Sequence, residues 1–172
     1  MSDKKELINE VKSLTGISDL RELDKESTEK ILKLVGEQRL KEAHINAVIE
    51  VAPQFVRLQT EILQTISAAI EGLEKSQRTA LETIQTTLKG LTNILQTLAE
   101  NMETDEGRMK IAECTVKAGE QFIEVSKTLA SMNKENNGVW KWVVGGLAAG
   151  LTLLVGGVVA KGLSKKEKQN EK

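Results

Sequence analysis

The sequence predicts an all-α fold: an elongated antiparallel helical hairpin, coiled-coil-like, followed by one C-terminal transmembrane helix. Three observations carry this expectation. Aromatic residues make up only 2% of the 172 residues, with two Trp, two Phe and no Tyr, so large rings cannot fill a layered core. A single proline, Pro53, leaves long stretches free to be helical, and apolar residues beyond it recur in alternating steps of three and four. Near the C-terminus, residues 143–160 form 18 consecutive positions without a charge.

Residues 1–52 read as an N-terminal helical segment. Its first helix covers residues 3–14, with Leu7, Ile8, Val11 and Leu14 on one side and Thr15 and Gly16 closing it. A second stretch starts near Asp24 or Ser27 and carries Ile31, Leu34, Val35, Leu40, Ala43, Val48 and Ile49 towards Pro53. Proline is tolerated in a first helical turn but removes a hydrogen bond from an interior, so Pro53 marks a new helix or a kink.

Residues 53–136 read as the long hairpin. The heptad seam runs through Val56, Gln59, Leu63, Ile66, Ile70, Leu73, Gln77, Ala80, Ile84, Thr87, Leu91, Ile94 and Leu98, and Gln59, Gln77 and Thr87 are its candidate register-fixing polar positions. Leu58, Ile62, Ala69, Leu81, Leu88 and Leu95 widen the stripe beyond a two-stranded seam, which implies several helical neighbours. The polar run from Asn101 to Gly107 interrupts the pattern, and a second helix resumes with Ile111, Thr115, Ala118, Phe122, Val125, Leu129 and Met132. Two helices joined by so short a loop should fold back on each other. As single helices, 54–100 would span roughly 70 Å and 105–136 about 48 Å, so the first overshoots unless the hairpin tilts at its hinge or bends near Gly72.

Residues 137–163 read as hinge and transmembrane helix, and 164–172 as a basic polar tail. Trp140 and Trp142 suit a headgroup belt, and Lys161, Lys165 and Lys166 suit the opposite interface. The 18 uncharged positions just span a bilayer. Within them Gly145, Ala149, Gly156 and the Gly146 and Gly150 pair place small residues at helical spacing, where a second membrane helix can approach closely.

Residues 1–138 carry 18 basic and 23 acidic side chains, whereas 139–172 carry six Lys and two Glu. An acidic body offers no stripe for phosphates, so no nucleic-acid partner is expected. With one histidine, His44, and one cysteine, Cys114, no metal cluster or Cys/His nucleophile is expected, nor any cofactor or enzymatic activity. No apolar stretch follows the first residues, so no secretory signal is expected. The lysines after the anchor favour a cytoplasmic tail, but moving nine tail residues across a membrane is easier than moving the body. The expected placement is a cytoplasmic body with the tail across the membrane.

Two functions compete. The first is a single-pass, tail-anchored interaction or scaffold protein that self-assembles or recruits a helical partner at a lipid bilayer. The second is an oligomeric membrane-permeabilising protein, which the glycine-lined anchor and a stretch from 83 to 99 with Lys89 as its only charge would suit.

Overall fold

A computed structural model describes residues 3–132. Six α-helices and two short 3-10 turns pack together, and no strand occurs among the described residues. The expected anchor and tail, residues 137–172, lie outside the described residues. No described helix is long and apolar enough to cross a membrane.

Helix α1, Lys4–Thr15, starts on Asp3, whose carboxylate accepts from the Lys5 amide, and ends on Gly16 in the left-handed region at φ 74°. A 3-10 turn, Leu20–Glu22, leads to α2, Lys25–Gly36, which is capped by Asp24 accepting from the Ser27 amide at 2.8 Å. The stretch read as continuous towards Pro53 breaks here, and α3 begins afresh as Glu42–Val51. The break is set by a left-handed residue, Gln38 at φ 60°, while the Arg39 and Leu40 amides turn back to the Leu34 carbonyl.

His44 fixes the start of α3. Its Nδ1 accepts from the Lys41 amide at 3.1 Å, so the ring proton sits on Nε2 and points at Glu10 Oε2, 3.0 Å away on α1. One ring therefore caps one helix and ties another to it. His44→Ala is expected to lower unfolding stability by about 1–2 kcal/mol, measured by urea denaturation, because a cap and an interhelix hydrogen bond go together. An unchanged midpoint would show that α1 is held by its apolar face alone.

Pro53 stands immediately before α4, Gln54–Glu71, so it opens a new helix instead of kinking an old one. The predicted helix over 54–100 is two helices: α4 stops at Gly72, and α5 runs Lys75–Leu98. The break falls at Gly72, and the expected hinge lies outside the described residues. A 3-10 turn, Ala99–Asn101, then leads to α6, Asp105–Met132. With 24 residues in α5 and 28 in α6, the two helices are about 36 and 42 Å long, and little is left to overhang. Thr104 starts α6 by accepting from the Gly107 amide at 3.0 Å.

The break also resets the phase of the seam. Along α4 the predicted positions Val56, Gln59, Leu63, Ile66 and Ile70 are buried. Along α5 the buried line is Leu81, Ile84, Leu88, Leu91 and Leu95, while Ala80, Thr87 and Ile94 of the predicted seam are exposed. The α6 seam falls as predicted through its first five positions, with Ile111, Thr115, Ala118, Phe122 and Val125 buried, and Leu129 after them is half-buried. One continuous apolar core reaches from Val11 to Val125, so the N-terminal segment and the hairpin share it. Its most extensive helix contact is between α2 and α6, where Gly36 and Gly119 let the two backbones meet.

Candidate functional site

The outer surface of the bundle differs sharply from helix to helix. On α6 it is a solvated, charged face carrying Glu106, Lys110, Glu113, Lys117, Glu120 and Glu124, with Met109, 57% exposed, as its one large apolar side chain among the described residues. Lys110 pairs with Glu106 at 2.6 Å along this face. Along the exposed side of α5 one stripe, Ala80, Thr83, Thr87, Gly90, Ile94 and Thr97, runs in steps of three and four without a charge, and Arg78, Glu82 and Lys89 are exposed beside it. All six are exposed, and Ile94 stands 47% open to solvent.

Local chemistry makes this face less polar than its composition suggests. The hydroxyls of Thr86, Thr87 and Thr97 donate to the carbonyls of Glu82, Thr83 and Asn93, four residues back, each at 3.0 Å. With its donor used within the helix, each threonine offers a neighbour a methyl group and an oxygen lone pair. Lys89 turns towards α4, where its ammonium pairs with Glu71. Gly90 has open space where a side chain would stand. A shallow groove between Asn93, Ile94, Thr97 and Leu98 completes the patch. Loss of charge is the compositional mark of an interface core, and it separates this stripe from the charged outer face of α6.

The three predicted register-fixing residues separate. Gln59 is fully buried in α4, Gln77 is half-buried near the start of α5, and Thr87 lies on the exposed face. Thr87 thus belongs to the outward patch, because the bend at Gly72 rotates α5 relative to the continuous heptad. Neither amide atom of Gln59 meets a hydrogen-bonding group of the protein. An unpaired buried amide costs about 1–3 kcal/mol. Gln59→Met is therefore expected to raise stability by about 1–2 kcal/mol in thermal or urea unfolding, whereas a loss of stability would show that the amide holds a partner that fixes packing.

The predicted membrane-interface residues Trp140, Trp142, Lys161, Lys165 and Lys166, and the predicted packing residues Gly145, Gly146, Ala149, Gly150 and Gly156, lie outside the described residues. Among the described residues no group of three or more His, Cys, Asp or Glu is placed to hold a metal ion. Burial pushes the Cys114 thiol up, away from the reactive thiolate. Arg108, at the start of α6, gathers structural contacts: it donates to the carbonyls of Met102 and Glu103 and pairs with Asp105, and its Nε lies 3.8 Å from Glu50 of α3.

The uncharged α5 face is the patch that sequence reading did not assign. Its signal was the stretch between 83 and 99 with only Lys89 charged, but which side of that helix faces out depends on the phase set at Gly72. No family model, curated protein or solved structure matches this chain.

Proposed function

We propose that the chain is a membrane-anchored helical interaction protein: residues 143–160 tether it to a bilayer, and the six-helix bundle recruits a helical partner or a second copy through the outer face of α5. The observation that carries this reading is the uncharged stripe of α5, where the Thr87 and Thr97 hydroxyls are bonded within the helix, on a bundle whose other long outer face, on α6, carries charges along its length. The tether rests on sequence: 18 uncharged positions between Trp142 and Lys161, with Val and Leu making up half of them. The body is assigned to the cytoplasmic side, with the basic tail across the membrane.

Reconstitution of the full chain into lipid vesicles, followed by chemical crosslinking, tests the recruitment reading. Crosslinked species that vanish when Thr87 and Ile94 are both replaced by Lys support it. Monomer alone, with no co-purifying partner, counts against it.

A second reading, oligomeric permeabilisation of the membrane, draws on the same α5 face, which bears one charge between 83 and 99. Dye-loaded liposomes separate the two. Leakage that rises with protein loading favours permeabilisation, and full dye retention at high loading removes it.

A further inference from the structure

We propose that α1 is a detachable arm, and that the groove it fills on α3 and α2 also takes the α1 of a second copy, so that two chains exchange arms. This surface is separate from the α5 stripe, and its role does not depend on that stripe.

α1 is held lightly. Of its 12 residues only Val11 is buried, whereas α2, of the same length, buries six. Ile8 and Leu14 pack half-buried beside it. Two polar ties complete the attachment, both to α3: Lys4 pairs with Glu50, and Glu10 accepts from His44 Nε2 at 3.0 Å. The Lys4 and Glu10 side chains each remain 53% exposed, where a charge pair adds little. A terminal helix with so few buried contacts opens locally before the bundle does.

Neither side of this contact needs the other to keep its shape. α1 closes both of its own ends, with the Asp3 carboxylate at the first and the Gly16 amide bonded to the Lys12 carbonyl at the last. The groove is likewise supported from behind. The His44 ring that faces Glu10 caps α3 through its other nitrogen, and Glu50 is also approached by Arg108 of α6. Ile45, Val48 and Ile49 hold α3 in the core. Residues 16–19 link α1 to the buried Leu20 and extend to about 14 Å, enough for the arm to lift away.

The occupant is read from what the groove already holds. Val11 enters it fully buried, and the two polar ties lie six residues apart on each helix in opposite order, which fixes α1 antiparallel to α3. A second copy brings the same knob and the same two charges in the same register. Reciprocal exchange closes a two-fold pair, with each chain giving one arm and receiving one. Within a single chain the tether gives the arm's own groove a high effective concentration, so exchange grows when chains are concentrated or the tethered arm is weakened.

A labelled peptide of residues 3–19, titrated with the full chain in mild detergent and followed by fluorescence anisotropy, tests the arm and its groove. The Val11→Asp chain, whose own arm cannot dock, is expected to bind the peptide about tenfold more tightly than the parent chain does. Lys4→Glu, at an exposed end of α1, weakens the tethered arm without touching the core and should shift binding the same way. Circular dichroism checks that each chain is folded. A peptide carrying Val11→Asp should lose about tenfold in affinity, because its one buried side chain is gone. Exchange itself is read from size-exclusion chromatography: dimers formed by the parent at high concentration should disappear in the Val11→Asp chain and survive Thr87→Lys with Ile94→Lys.

Failure of the peptide to bind a folded Val11→Asp or Lys4→Glu chain would overturn the proposal. Dimers that survive Val11→Asp and vanish with the Thr87 and Ile94 changes would overturn exchange and leave the α5 reading intact. Peptide capture together with Val11-dependent dimers supports exchange, even where crosslinking through α5 is absent.

Discussion

Gly36→Ala is expected to lower the unfolding free energy by about 3 kcal/mol and the melting temperature by roughly 10 °C. A methyl group at Gly36 would stand 2.2 Å from the Gly119 carbonyl oxygen and 2.5 Å from Ile123 Cγ1. The first of these is backbone and cannot rotate away. Gly119→Ala meets the same barrier from the other side, at 2.8 Å from the Gly36 nitrogen and 2.8 Å from the Leu32 carbonyl oxygen. Either change forces α2 and α6 apart and opens the most extensive helix contact in the bundle.

Helix propensity alone gives the opposite sign. Alanine is favoured over glycine inside a helix by about 1 kcal/mol. Gly90→Ala supplies the control, since nothing lies within 4 Å of the position its methyl would take, and it should stabilise by about 0.5–1 kcal/mol. Urea denaturation of the three variants checks the contrast. If Gly36→Ala were as stable as the parent, the α2–α6 crossing could not be as close as described.

Gly36 also illustrates what a sequence conceals. A glycine ending a helix usually serves a left-handed cap, but among the described glycines only Gly16 has a positive φ, and in the α2–α3 link Gln38 takes that conformation. Gly36 is there for Gly119, which lies far along the chain, and no local pattern announces such a pair. Local signals that needed no distant partner were legible: the first helix closed by Gly16, a helix start near Asp24, a boundary at Pro53 and the line from Ile111 to Val125 on α6.

The misreading of 54–100 as one helix has a specific cause. Leu73 continues the step of three from Ile70, and Ile84, Leu91 and Leu98 fit both the continuous heptad and the seam that α5 uses. Only the alternate positions differ, moving from Ala80, Thr87 and Ile94 to Leu81, Leu88 and Leu95. The residues that widened the predicted stripe were therefore the true core line of α5. The exposed half of the heptad became the candidate interaction face. Gln59 was legible as a seam residue because it precedes the bend, and Thr87 was misplaced because it follows it.

Leu151→Asp is expected to move the full chain from the membrane to the soluble fraction, by about 100-fold in partition. Residue 151 falls at the middle of the uncharged run 143–160. An aspartate at mid-membrane costs about 3 kcal/mol, which nearly cancels the roughly −3 to −5 kcal/mol that nine Val and Leu residues supply. The described bundle contributes no spanning helix of its own, so the effect isolates the segment. Alkaline extraction followed by flotation measures it. Persistence of the variant in the floated fraction would show that the bundle holds lipid or a membrane partner by itself. Gly150→Leu gives the complementary result: insertion is retained, because leucine favours the bilayer, while close approach of a second helix in the membrane is weakened.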